Sequence, residues 1–219
     1  MDRHVFLTGL LWFGIGLVFS SFVEYWAHRV LHQWRLVGKT HRDHHARNEG
    51  QGVLWEYLDY VKPSCILMIP PFFVSLPAGI GFFIGSNLFA LFSAYSHQLQ
   101  HENPTACFWM SMPTHYVHHE FNMWHYNFGM SLDIWDRIFR TYKPVEWRER
   151  VQPRPIKRSR FNVRWCIDNS LATSSPDAPW ARSKIRKVRR SRKTTLRSSL
   201  AWACASRIRS CSGSAPTSP

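Results

Sequence analysis

The chain has 219 residues, 45% of them hydrophobic, and a formal charge of +14, a length that allows one domain or one domain with a tail. The charge is unevenly placed: residues 1–150 hold twelve Lys/Arg and twelve Asp/Glu, whereas residues 151–219 hold sixteen Lys/Arg against Asp168 and Asp177, so a nucleic-acid binder is not indicated for the body, and no nucleic-acid module is recognisable in the tail. Five cysteines (Cys65, Cys107, Cys166, Cys204, Cys211), odd in number and without a C-x-x-C pair, exclude a disulfide framework and a zinc ribbon.

In chain order, residues 5–23, VFLTGLLWFGIGLVFSSFV, form an uncharged apolar run about long enough to cross a bilayer as a helix. The positive segment before it is meagre and no small-x-small cleavage site follows, so it is read as an uncleaved anchor. Residues 64–95 are again apolar but broken by Pro70, Pro71, Pro77, Gly79 and Gly81. This predicts a hairpin of two helices, 64–76 and 80–96, dipping into or just through the membrane. Arg29, Arg35, Lys39, Arg42 and Arg47 follow the first span, against Arg3 before it, which places the following segment on the cytoplasmic side. A hairpin returns the chain to that side, so segments 24–62 and 97–150 are expected to meet on one membrane face. From about Val163 the hydrophobic periodicity is lost, and thirteen of the twenty-two serines lie after residue 150. That basic Ser/Arg-rich tail, 151–219, reads either as a disordered polybasic segment on anionic lipid or as an aberrant, out-of-frame product, and no function is assigned to it. The expected fold is an all-α integral membrane protein over residues 1–150. It has one N-terminal transmembrane helix, a helical hairpin and a cytoplasmic helical cap.

Ten of the twelve histidines fall into four clusters: His28 and His32; His41, His44 and His45; His97 and His101; His115, His118 and His119. Spacings of three and four put side chains on one helix face, so H-x-x-x-H presents two imidazoles together and H-x-x-H-H three. One H-x-x-H-H is expected by chance on the order of a few hundredths of a time in such a chain; here there are two, with two H-x-x-x-H pairs, arranged either side of the apolar hairpin. Neither Glu-x-x-His nor H-E-x-x-H occurs, and ten ligands exceed what a structural zinc needs. Ten imidazoles suit two metal ions, and a redox-capable pair next to lipid points to O₂ activation and attack on an unactivated C–H bond. Iron can do this and zinc cannot.

The order H-x₃-H, H-x-x-H-H, hairpin, H-x-x-x-H, H-x-x-H-H resembles the fatty acid hydroxylase/sterol desaturase superfamily of membrane di-iron enzymes. The stretch HHEFNMWHYNFGMSLDIWDRIFRTYKP, residues 118–144, is similar to that family's closing segment, with Asn127-Phe128-Gly129 and Trp135-Asp136-Arg137 at the matching places. The resemblance covers about residues 5–150. It implies a centre of two non-haem Fe ions, O₂ as co-substrate, and a fatty acyl, sterol or carotenoid substrate that is hydroxylated or desaturated. It also implies His28, His32, His41, His44, His45, His97, His101, His115, His118 and His119 as metal ligands. His125, Glu24 and Asn127 are candidates for orienting those ligands. For His125 the alternatives are an eleventh ligand or an interfacial polar residue; for Glu24, orientation of His28 or a charge at the headgroups. Asp136 and Arg137 are expected to form a structural ion pair, and Trp12, Trp26, Trp34, Trp55, Trp109 and Trp124 to anchor the membrane interface.

No haem, flavin or iron–sulfur motif is present, so the expected partners are membrane lipids, a lipid substrate and an external electron donor of ferredoxin or cytochrome b5 type, with no nucleic acid. The competing class is a non-catalytic membrane metal-binding or metal-transport protein, which predicts histidines strung through the spans at bilayer depth.

Overall fold

The computed structural model describes residues 2–34, 38–151 and 163–166. The chain divides at residue 167, and all of these lie in the first unit, Met1–Ile167. The elements are helices α1 (Arg3–Gln33), α2 (Lys39–Arg47), α3 (Val53–Ser64), α4 (Leu76–Glu102), α5 (Thr114–Glu120) and α6 (Ile134–Ile138), with short 3₁₀ turns, and there is no strand among the described residues.

Two of these helices, α1 and α4, are long and apolar enough to cross a membrane. The N-terminus of α1 is capped by Asp2, whose side chain accepts from His4 N at 3.1 Å. The helix outruns the apolar stretch by ten residues, because EYWAHRVLHQ contains neither Gly nor Pro to stop it. That extension carries Glu24, His28 and His32 at four-residue spacing up one face, beyond the apolar section. The two helices lie parallel and close: Ser86 packs at Gly16, with Oγ 3.5 Å from the Gly16 carbonyl, and higher up Ser93 donates to Glu24 at 2.6 Å. A Cβ on Gly16 would stand 2.5 Å from the Phe82 carbonyl oxygen, and one on Gly85 2.2 Å from that of Phe13. Small residues set this approach, as in other membrane helix pairs. The outward faces carry Leu11, Val18, Ile84 and Leu88, all exposed.

Because α1 and α4 run the same way, the chain between them must come back. It does so through α3 and two 3₁₀ turns, Cys65–Met68 and Pro70–Phe73. The expected helix over 64–76 is thus corrected: α3 ends at Ser64, and the descent continues in i→i+3 bonds such as Phe72 N to Ile69 O, 3.0 Å. Pro70 and Pro71 have no N–H to offer an α-helix. The expected turn over 76–80 is corrected as well. Pro77 occupies the first turn of α4, where a missing N–H costs nothing, Ser75 caps Ala78 N at 3.2 Å, and Gly79 and Gly81 lie inside the helix. The second arm therefore runs to Glu102 and takes His97 and His101 with it.

Residues 163–166 fall within the stretch read as tail, yet they belong with the body. Val163 packs with Val53, Ala94 and Leu99. The carbonyls of Arg164 and Trp165 accept from Val53 N and Leu54 N at 3.0 and 2.9 Å, filling donors that the start of α3 would leave unpaired, and Arg164 Nε meets Glu102 at 2.6 Å. The rest of the tail after Val151, with the two readings given for it, lies outside the described residues.

Gly85→Ala should destabilise the helix pair by about 1–3 kcal/mol through overpacking, read as a lower thermal midpoint in detergent. Gly14→Ala, whose Cβ would meet nothing within 4 Å, should leave the midpoint unchanged or slightly raised.

Candidate metal centre

Four helices deliver the ten histidines to one place. His28 and His32 lie on the last turns of α1, His41, His44 and His45 on α2, His97 and His101 on the last turns of α4, and His115, His118 and His119 on α5. Nine of them form two groups. His28, His32, His41, His45 and His118 bring one ring nitrogen each to within 4.8 Å of all the others, and His44, His101, His115 and His119 do the same. In the first group, His32 Nε2 lies 3.2 Å from His28 Nε2, 2.9 Å from His41 Nε2, 3.2 Å from His45 Nε2 and 2.8 Å from His118 Nε2. In the second, His115 Nε2 is 3.1 Å from His101 Nε2. The groups adjoin, since the His45 and His119 rings stack with centroids 3.8 Å apart. His97, the tenth, falls outside both mutual sets, although its Nε2 is 3.2 Å from His44 Nε2.

These nitrogens cannot satisfy one another as hydrogen bonds. His28 Nδ1 lies 2.5 Å from the Phe128 carbonyl, His118 Nδ1 2.8 Å from that of Tyr126 and His44 Nδ1 3.1 Å from that of Glu49. A carbonyl only accepts, so each Nδ1 bears the proton and each Nε2 of the neutral ring is a bare lone pair. The lone pairs of His28 and His118 both converge on His32 Nε2, whose single proton at most answers one of them. Buried ring nitrogens of His32, His115 and His119 moreover lack a hydrogen-bond partner. Lone pairs facing lone pairs in a buried site are what a bound cation relieves, so the donor set fits two metal ions.

The loop after α5 supplies two of those carbonyls. Between them stands Asn127, buried and left-handed at φ 60°, with its Nδ2 donating to Lys143 O at 2.9 Å and its Oδ1 accepting from Lys143 N at 2.8 Å. Asn127 thus fixes the Tyr126 and Phe128 carbonyls that orient His118 and His28. Asp136 takes Phe128 N at 2.9 Å, Gly129 N at 2.6 Å and Thr141 Oγ1 at 2.6 Å, while Arg137 pairs with Asp133 at 2.7 Å. The expected Asp136–Arg137 pair is corrected, because the carboxylate is buried beneath the loop and the guanidinium lies exposed.

Glu24 is also corrected as a direct partner of His28, whose Nδ1 is held by Phe128. Its carboxylate accepts from Ser93 Oγ, Ser131 Oγ, Met130 N (2.9 Å) and Ser131 N (3.1 Å), tying α1 to α4 and to the closing loop. His125 is exposed and outside both groups. Trp124, read as an interface anchor, lies over the site, its ring 4.9 Å from that of His32 and 5.1 Å from that of His45.

The motif reading did not single out Glu56, Gln98 or Gln100. Gln100 caps the start of α5, accepting from His115 N at 2.9 Å while its amide donates to Met130 O. Gln98 accepts from Gly52 N at 2.8 Å. Both glutamines are fully buried. A polar residue between box histidines on a long helix was the available signal, since HQLQH leaves no apolar side for that turn except Leu99.

Burial first, then the neighbouring imidazoles, pushes His41 down to about 2 and His44 to about 3. Burial alone takes His118 to about 4, against two backbone hydrogen bonds that raise it. His45, His115 and His119 move in the same direction for the same first reason. These six rings are therefore neutral and ready for ligation at pH 7. Above the ordinary imidazole value of 6.5 neither the folded nor the unfolded chain binds protons here; below it only the unfolded chain does. Metal-free protein should accordingly lose stability as the pH falls from about 6.5 towards about 4. Thermal midpoints in detergent at pH 7.5, 6.5 and 5.5 check this, and equal values would contradict it.

No solved structure matches the chain. The family model described as fatty acid hydroxylase matches residues 13–141, more than half of the chain, from the middle of α1 to the end of the closing loop. With four histidine-bearing helices inside those bounds, the chain belongs to the fatty acid hydroxylase family, within the fatty acid hydroxylase/sterol desaturase superfamily.

Proposed function

We propose that this protein is a membrane-bound, O₂-dependent di-iron oxidoreductase that hydroxylates or desaturates an aliphatic lipid. The observation that carries the reading is the convergence of bare Nε2 lone pairs from α1, α2 and α5 on shared points, with the matching group from α2, α4 and α5 beside it. His28, His32, His41, His45 and His118 would hold one iron, and His44, His101, His115 and His119, with His97, the other. The irons supply reductive O₂ chemistry: R–H, O₂, two electrons and two protons give R–OH and water, or an alkene and two waters.

The chain's own residues bind, orient and exclude water. The Tyr126, Phe128 and Glu49 carbonyls hold three rings in the ligating tautomer. Trp124 covers His32 and His45 from the solvent side. The histidines lie at the ends of α1 and α4 and not along their apolar sections, which favours the enzyme over a carrier. An open apolar groove of about 680 Å³ runs up α1 from Leu10 to Phe22, with Trp135 also in its lining. His28 lies six positions beyond Phe22, about 9 Å along the helix, so the groove supports a lipid chain approaching the site from the bilayer. The surplus of basic residues after α1 supports placing the site on the cytoplasmic face. The electrons come from an external ferredoxin or cytochrome b5 type carrier.

Protein purified in detergent from iron-supplemented cells should contain about two irons per chain, and the His118→Ala/His119→Ala double variant should contain less. Lipids extracted from cells making the wild-type chain should show added oxygen or unsaturation absent with the variant. Well-folded wild-type protein that holds no metal would falsify the reading.

A further inference from the structure

Glu56 lies on α3, outside every histidine motif, and is 3% exposed. One of its carboxylate oxygens touches His97 Nδ1 in a close ion-pair contact outside hydrogen-bond geometry, and also accepts from Tyr60 Oη at 2.9 Å. The other accepts from Gln51 N at 3.1 Å. A carboxylate with this many donors is fixed in place, and at neutral pH it only accepts. The ring proton of His97 therefore belongs on Nδ1, and its Nε2 is a lone pair directed at the second group, 3.2 Å from His44 Nε2, with the His97 and His115 ring centroids 4.3 Å apart.

The two groups are unequal, five nitrogens against four, and His97 is the histidine that stands next to the smaller one. The other three oriented rings, His28, His44 and His118, are held by backbone carbonyls. His97 is held by an anion. A neighbouring carboxylate fixes the tautomer and raises the basicity of the ring it contacts.

The geometry points to Glu56 as a positioning residue that makes His97 the fifth ligand of the His44, His101, His115 and His119 group. This rests on the di-metal reading above. Glu56 touches no metal itself and acts through the His97 ring, so α3 takes part in the site although none of its own residues ligates.

Cobalt(II) titration of the metal-free, full-length protein in detergent, followed by its visible absorption, tests this. The wild-type chain should bind two ions. Glu56→Ala should bind one with unchanged affinity and the other about 10–100-fold more weakly. His97→Ala should show the same selective loss. In the double variant Glu56→Ala should add nothing to His97→Ala, whereas a purely structural role for Glu56 would weaken binding further in that background. If Glu56→Ala does not fold, Glu56→Gln carries the same comparison, because its one oxygen can still accept from Gln51 N, which turns the amide N–H towards His97 Nδ1 and removes the acceptor there. Two cobalt ions bound by the Glu56 variants with wild-type affinity, or equal weakening at both sites, overturns the inference alone. A folded wild-type chain that binds no cobalt overturns the di-metal reading and this inference with it.

Discussion

Ten imidazoles crowd into one buried place with their lone pairs inward, and the rest of the molecule is arranged around that constraint. Neutral imidazoles repel weakly at the distances seen here, and their free polar atoms cost a few kcal/mol each in an interior that offers no water. The cost cannot be met by pairing the rings with each other, because each ring has one proton and several neighbours. It is met from outside: carbonyls of the 126–128 loop, the Glu49 carbonyl and the Glu56 carboxylate each take an Nδ1 and so commit the opposite nitrogen to the centre. The folding problem is to hold those acceptors still.

The two long helices solve half of it. Since α1 and α4 are parallel and packed through glycine and serine, their far ends arrive at the same height, and each carries an H-x-x-x-H pair there. The closing loop solves the other half. Asn127 and Asp136 hold its backbone from both sides, and Glu24 takes Met130 N and Ser131 N from beneath. The loop is pinned by three side chains that make no contact with a ligating nitrogen, yet the orientation of His28 and His118 depends on them. Asn127 adopts positive φ here, a conformation that Asn tolerates better than most residues.

The histidine pattern was legible in the sequence because ligands must share a helix face, which imposes spacings of three and four that chance seldom produces. The first span was legible for the same kind of reason, since nineteen uncharged, mostly apolar residues in a row have few other uses. The hairpin's details were not. Proline marks a helix start as readily as a turn, and glycine marks a close helix contact as readily as a break, so Pro77, Gly79 and Gly81 carried no unique meaning without α1 beside them. Glu56 was invisible for a different reason. It acts on a ring forty-one positions later, and only the descent of α3 against α4 brings the two together. Residues 163–166 were hidden by their surroundings: four residues inside a basic, Ser-rich stretch read as tail, while two backbone carbonyls, the Val163 side chain and the Arg164–Glu102 pair tie them to the body.

The carboxylates show why orientation and charge belong together in this site. Two divalent ions held by neutral imidazoles would place four positive charges in a region of low dielectric, where the field of an ion reaches far and uncompensated charge is costly. Soluble di-iron bundles neutralise that charge with carboxylate ligands. Here the two groups offer nitrogen alone, and the nearby carboxylates of Glu24, Glu56 and Asp136 are held one layer out, each filled with donors from the backbone or from hydroxyls. For Glu56, burial would raise the carboxyl, but the contact with His97 and its hydrogen bonds outweigh it and keep the group low and charged. At Glu56 a counter-charge therefore stands beside the histidine groups without occupying a ligand position.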